Sequence, residues 1–178
     1  MDEPGEPGAQ GAQDVPVDFD AYVALRWTRL VRAAVLLGAG REEAEDVVQS
    51  CLVRCLVRWD RVRAADDVDA YVHKALVNTF VSSRRRRWHG ERPTDHLPEV
   101  AHTDAADEVD DRDAVLRALE KLGTDQRTVV VLRYYSHLTE RQTAEALGVA
   151  PGTVKSRLSR ALRVLAADPS LLALRGAG

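Results

Sequence analysis

The stretch from Leu138 to Leu162 constrains this chain more than any other. Thr139 stands where a helix N-cap is wanted, and Gln142, three residues on, completes a capping box. Gly148 falls where a left-handed C-terminal residue ends that helix. Pro151 suits the first position of the next helix, which needs no N–H. In that second helix Val154, Leu158, Ala161, Leu162 and Leu165 share one face at helical spacing. Ser156, Ser159, Arg160 and Arg163 share the opposite face, flanked by Thr153 and Lys155. A short helix, a glycine turn and a basic amphipathic helix predict a helix-turn-helix, whose second helix docks in the DNA major groove. A solvated charged face on an ordinary helical hairpin is the alternative.

The chain has 178 residues, enough for one domain or two small ones. Its net charge of −3 argues by itself against strong nucleic-acid binding, but the distribution reverses that impression. Base is concentrated in Arg84, Arg85, Arg86 and Arg87 and in the final basic helix; acid is concentrated in the N-terminal tail and the middle segment. Two separated basic patches predict contacts with phosphate at two places. No apolar run approaches the roughly 20 residues that span a membrane. The acidic, Pro/Gly-rich N-terminus is neither a signal nor a transit peptide, so a cytoplasmic protein is expected. Cys51 and Cys55 lie in a stripe with Val47, Val48, Leu52, Leu56 and Trp59 and are read as buried core thiols rather than a redox pair. The five histidines form no metal-binding spacing with them, and His89, His96 and His102 fall in a polar segment.

No Val/Ile/Thr alternation asks for a strand, so the expected fold class is all-α, with two small helical domains. Residues 1–17 read as a disordered tail. Residues 18–88 form the first domain: a helix from about Asp18 to Leu37 with the stripe Val23, Trp27, Leu30, Val31 and Ala34, a break at Gly38 and Gly40, a helix from about Glu42 to Trp59, an Asp-rich loop over 60–68, and a third helix from about Asp69 into the arginine cluster. Residues 89–110 read as an acidic linker. Residues 111–170 form the second domain, in which a helix carrying Val115, Leu116, Leu119 and Leu122 and another from Asp125 to about Tyr135 precede the helix-turn-helix. Residues 171–178 read as a tail.

The third helix presents Tyr71, Lys74, Asn78, Ser82 and Arg85 at spacings of three or four. An aromatic and polar face that ends in an arginine run suits an unstacked nucleic-acid strand, with rings for bases and guanidiniums for phosphates. A solvated face is as good an explanation of that helix taken alone. The order of features narrows the choice. Asp46-Val47-Val48-Gln49-Ser50-Cys51-Leu52 precedes Trp59, then Ala70-Tyr71-Val72-His73-Lys74-Ala75-Leu76-Val77-Asn78-Thr79 and the arginines. Ala118-Leu119-Glu120-Lys121-Leu122 follows the linker, then Gln126-Arg127-Thr128-Val129-Val130-Val131-Leu132-Arg133-Tyr134-Tyr135, and last Gly152-Thr153-Val154-Lys155-Ser156-Arg157-Leu158-Ser159-Arg160-Ala161. Over about residues 18–170 this order resembles the extracytoplasmic-function (group 4) sigma factors of the sigma-70 family, in detail the SigE-type subgroup of actinomycetes.

The resemblance implies a sigma region 2-like domain, a sigma region 4-like domain, and a factor that binds core RNA polymerase and directs promoter recognition, −10 strand opening and initiation. Asp46 and Gln49 match positions that grip the clamp of the largest polymerase subunit; the flap of the second subunit is the other implied contact. Tyr71, Lys74, Asn78 and Ser82, with the loop from Arg63 to Asp69, match the region that captures flipped −10 bases, and Arg84 to Arg87 would hold phosphates. Lys155, Ser156, Ser159 and Arg160 match positions that reach −35 base edges, while Thr153, Arg157 and Arg163 would hold phosphates, as most protein–DNA hydrogen bonds do. Promoter DNA and an anti-sigma protein are the other implied partners. Four positions make three departures from the family pattern: Ser82 and Ser83 where an acid is common, Ala150 where a Ser commonly caps the recognition helix, and a small Ser159.

No catalytic constellation, phosphate-cradling glycine loop or metal set is visible, so no enzyme activity and no cofactor is expected. The linker acids Glu91, Asp95, Glu99, Asp104, Asp107, Glu108, Asp110 and Asp111 are opposed inside that span only by Arg92. They form a solvated spacer, imitate nucleic acid within the polymerase cleft, or mask the basic helices. Two short modules on a linker predict weak DNA binding by the free chain. The rival function is a stand-alone helix-turn-helix regulator that binds duplex DNA as a dimer; it leaves the Asn78 and arginine face without a task.

Overall fold

The computed structural model describes residues 18–90 and 106–176, which are helical with no strand among them. The tail at 1–17 and the linker core at 91–105, with His96 and His102, lie outside the described residues. Helix α1, Phe19–Leu37, starts where the extended Asp18 accepts the Ala21 N–H at 3.4 Å. It stops at Gly38, whose φ of +111° only glycine adopts without strain. The predicted span and break are both present. The buried face is turned from the predicted stripe: Tyr22, Arg26, Leu30, Ala33, Ala34 and Leu37 are enclosed, while Val23, Trp27 and Val31 are only partly covered.

Asp69, at the start of the helix opposite, explains that turn. Its carboxylate accepts from the Tyr22 hydroxyl at 2.9 Å and from Arg26 Nε at 3.2 Å, and pairs with Arg26 Nη2 at 2.9 Å. Two residues a sequence reader places at the surface are thereby buried with their polar atoms engaged. Burial, then the charge of Asp69, pushes the Tyr22 phenol far above its usual range.

Helix α2, Arg41–Leu56, is shorter than the predicted span to Trp59. A separate helical turn, α3, Trp59–Arg63, occupies the start of the predicted Asp-rich loop. Trp59 seats against Phe19 and Tyr22, with ring centroids 5.2 and 5.4 Å away, which pulls the chain off the α2 axis. Leu56 therefore falls outside the cysteine stripe and is 51% exposed. Cys51 and Cys55 are buried free thiols, as predicted. The Cys51 thiol donates to the Val72 carbonyl at 3.7 Å, and its interaction with Cys55 together with burial pushes it well above the ordinary thiol range.

Helix α4, Val68–Gly90, begins where Asp67 accepts the Ala70 N–H at 2.8 Å. Within it His73 is enclosed. Its Nδ1 donates to the Asp69 carbonyl at 2.8 Å, so Nε2 is an unprotonated nitrogen buried without a partner. Burial lowers its pKa, against the opposing effects of Asp69 and Asp67, while Arg29 lowers it further.

Helix α5, Ala106–Glu120, begins inside the span predicted as linker. Helix α6, Thr124–Val130, continues as a π-helical turn over Val131–Tyr135, closed by Ser136 N–H to Val131 O at 3.0 Å, where a plain helix was predicted. Helices α7, Glu140–Leu147, and α8, Pro151–Ala166, form the predicted helix-turn-helix. Its capping box is intact: Gln142 N–H donates to Thr139 Oγ1 at 3.2 Å and Thr139 N–H to Gln142 Oε1 at 2.8 Å. Gly148 is left-handed at φ +65°, and Ala150 offers α8 no side-chain cap. The predicted C-terminal tail is a further helix, α9, Pro169–Gly176. Asp168 accepts the Ser170 N–H at 2.9 Å and the Lys121 ammonium at 2.7 Å, which ties α9 to the end of α5. Asp168-Pro169 is a helix-start signal that the sequence reading passed over.

The main core joins the two halves. Val131, Leu132, Leu138 and Ala146 belong to the same buried cluster as the residues of α1, α2 and α4. Leu158 and Leu165 of α8 pack on two smaller clusters with α5, α6 and α7.

Three outcomes follow. Asp69→Ala leaves Arg26 buried beside the gap, and equilibrium urea unfolding should show a loss of about 3 kcal/mol. His73 binds its proton less readily folded than unfolded, so the unfolded chain takes up the extra proton. Stability should fall as pH drops below about 6.5, the unfolded imidazole value, and His73→Asn should flatten that slope. Ala150→Ser supplies the missing cap and should raise stability by about 1 kcal/mol in the same assay.

Candidate nucleic-acid interface

The recognition helix α8 is held by its apolar face. Val154 and Ala161 are buried, Leu158 and Leu165 partly so, against α5, α6 and α7. Leu162, predicted on the buried face, is 38% exposed, because it sits at the rim of the stripe. Lys155, Ser159, Arg160 and Arg163 are exposed, and Thr153 and Ser156 half-buried. The Ser156 hydroxyl donates to the Thr153 carbonyl at 3.0 Å. Arg157 is committed within the chain, paired with Asp125 of α6 at 2.6 Å. Its guanidinium braces the helix-turn-helix against α6.

On α4, Lys74, Asn78, Ser82, Arg84, Arg85 and Arg86 are exposed along the helix, and Tyr71 is half-buried against the core. The side chain of Arg87 lies outside the description. Val72, Leu76, Val77 and Phe80 occupy the buried side. The Arg84 guanidinium lies over the Phe80 ring, 5.5 Å from its centroid, which fixes its direction. On α2, Asp46 and Gln49 are exposed while Val47, Val48 and Leu52 are buried, so one helix separates an exposed polar face from the core.

Sequence reasoning missed the seam between the halves. Arg127 of α6 reaches across to the C-terminal end of α1, where Nε donates to the Leu36 carbonyl at 2.5 Å and Nη2 to the Val35 carbonyl at 3.4 Å. A cation there satisfies carbonyls that a helix end leaves free and sits at the negative end of the helix dipole. Burial lowers the Arg127 pKa, and neighbouring Arg84 lowers it further. Arg29 and Tyr135 exchange bonds, Arg29 Nη2 to the Tyr135 carbonyl at 3.3 Å and the Tyr135 hydroxyl to the Arg29 carbonyl at 3.2 Å. The π-helical turn aims Tyr135 at α1. Finally Gln142, already in the α7 capping box, donates Nε2 to Asp67 Oδ2 at 2.7 Å. Helix α7 thus covers the turn that enters α4. No local pattern could reveal these partners, since 75 to 106 residues separate each pair.

Among the described residues no group of His, Cys, Asp or Glu is arranged to hold a metal ion, and no helix is long and apolar enough to cross a membrane. The exposed chemistry is two polar, cationic helix faces, one on each half.

Comparison with known proteins agrees with that division. Sigma-70 region 2 matches residues 20–90, and sigma-70 region 4 matches residues 112–165. The RNA polymerase sigma-E factor of Streptomyces avermitilis is 38% identical over 146 residues, 82% of each chain. The ECF RNA polymerase sigma factor SigL of Mycobacterium tuberculosis is 32% identical over 155 residues, 83% of this chain and 84% of that one. Among solved structures, the sigma factor RpoE of Bartonella quintana, crystallised in complex with the anti-sigma factor NepR, superimposes with a TM-score of 0.69 at 28% identity, over 84% of this chain and 95% of that one. The region order, the identity and its coverage place the chain in the extracytoplasmic-function sigma factors of the sigma-70 family.

Proposed function

We propose a division of labour for this sigma factor. The exposed Asp46–Gln49 face of α2 docks on the clamp of core RNA polymerase. The Lys74, Asn78, Ser82 and Arg84–Arg86 face of α4 receives the opened −10 strand. Lys155, Ser156, Ser159 and Arg160 of α8 read the −35 duplex, with Thr153 and Arg163 on phosphates. The observation that carries this reading is the pair of exposed polar faces on two separately matched regions, each backed by its own buried stripe. Arg157 is assigned a bracing role because Asp125 holds it.

Strand capture at the α3–α4 turn requires α7 to leave Asp67, since Gln142 occupies that carboxylate. Flipping a base costs a few kcal/mol, which only a free pocket and phosphate contacts offset. Polymerase, by holding the two regions at promoter spacing, supplies the separation. The chain acts where polymerase is, in the cytoplasm, and an anti-sigma protein that favours the closed arrangement is a partner of this reading, by analogy with the Bartonella quintana complex. A stand-alone duplex-binding regulator gives the α4 face no task.

Co-migration with core polymerase on gel filtration tests the first assignment: Asp46→Ala with Gln49→Ala should weaken binding at least tenfold, and an unchanged elution profile overturns it. On a −35 duplex presented to the holoenzyme, Arg160→Ala should cost about 1–3 kcal/mol and relax base preference at one position. Arg163→Ala should weaken all sequences equally and flatten the salt dependence.

A further inference from the structure

The turn between α1 and α2 is nearly bare backbone. Gly38 has no side chain, Ala39 is buried, and Gly40 stands at the start of α2 with no side-chain cap. Two arginines from opposite halves converge on it. A Cβ placed on Gly38 would stand 3.3 Å from Arg127 Nη1, 3.5 Å from Arg127 Cζ and 3.7 Å from Arg84 Nη1. Arg127 spends Nε and Nη2 on the α1 carbonyls, and Nη1 has no hydrogen-bond partner among the described residues. Arg84 lies over the Phe80 ring, and among the described residues it forms no ion pair or hydrogen bond. Both guanidiniums face the same small region above Gly38, and two like charges so placed favour a counter-ion there. Glu120 is the carboxylate whose charge acts on Arg127, and it pairs with neither arginine.

We propose that Arg84 and Arg127, above the Gly38 turn, bind a phosphate-type oxyanion, which ties the two halves of the chain together. Planar guanidinium forks suit tetrahedral oxyanions, and donors already oriented by other contacts lose little freedom on binding. A Cβ on Gly38 would press on Arg127 Nη1 at 3.3 Å, so glycine lets the guanidinium approach the turn closely. The oxyanion is carried by a free phosphate or by a nucleic-acid backbone. One ligand is supplied by α4 and the other by α6, so the complete site exists only in the closed arrangement. Occupancy therefore favours closure by mass action. Arg84 is shared with the proposed −10 face and Arg127 is not, so the Arg127 response tests this site apart from the promoter assignments.

The test follows thermal unfolding of the full chain in sodium phosphate against sodium chloride at equal ionic strength. Phosphate stabilises most proteins weakly by exclusion, so the reading is the saturable part of the shift. The wild type should rise by roughly 5 °C at saturation. Arg84→Gln breaks no hydrogen bond of the seam, so it should remain folded and, measured against its own midpoint in chloride, lose the phosphate response; Arg127→Gln should lose that response as well. Arg141→Gln, an exposed arginine of α7, should respond like wild type. An equal phosphate shift in all four proteins overturns the proposal, as does no saturable shift in the wild type. The source is read by titrating a short single-stranded oligonucleotide with and without phosphate. Competition that disappears in Arg127→Gln assigns the site to backbone phosphate, and a saturable shift without competition assigns it to a free phosphate.

Discussion

The carboxylate of Asp69 sets the geometry on which the rest depends. It takes the Tyr22 hydroxyl and the Arg26 guanidinium, which fixes the rotation of α1 and pins the first turn of α4 against it. Once α4 is pinned, Lys74, Asn78 and Ser82 are directed outward and Val72, Leu76 and Phe80 inward. Asp67, two residues earlier, is then held at the surface where Gln142 can reach it. The enclosed charge of the pair is Arg26, and it is tolerated because the partly exposed Asp69 carboxylate answers it. The same bond that shapes the core therefore places both the exposed polar face of α4 and the attachment point of the second half.

The second half attaches at the end of α1 and, through α7, along α4. Helix ends carry free carbonyls, and the αL glycine that terminates α1 exposes them without a side chain in the way. Arg127 fills this position from a helix 91 residues further along the chain. The contact is polar and sits beside an apolar joint of Val131, Leu132, Leu138 and Ala146. Such a joint is strong enough to define one arrangement, yet it involves groups that water or a partner can satisfy equally well. The proposed function requires the two regions to separate on the promoter, and a joint of this kind permits that.

Individual residues show where the sequence was legible. Thr139, Gln142, Gly148 and Pro151 announced the helix-turn-helix because caps and turns are local chemistry, decided within four residues. The outward set on α8 was legible from periodicity, apart from Arg157, whose carboxylate partner lies 32 residues away. Leu56 and Trp59 were misread as one stripe because periodicity continues past a helix end when the next element docks against the same core. Helix α9 went unread although Asp168-Pro169 signalled it, since so short a segment is stabilised by Lys121 and α5 rather than by its own pattern.

By itself, the sequence determined the all-helical class, the helix-turn-helix with its caps, the buried thiols, the order of the two regions and the family they define. Those features follow from backbone sterics and hydrophobic period, which act over one or two turns. The tertiary structure alone decided that Tyr22 and Arg26 are core residues, that Arg127 closes the end of α1, and that Gln142 covers Asp67. Each depends on a partner 43 to 91 residues distant. A polar side chain reads as solvated until the fold brings up the group that satisfies it.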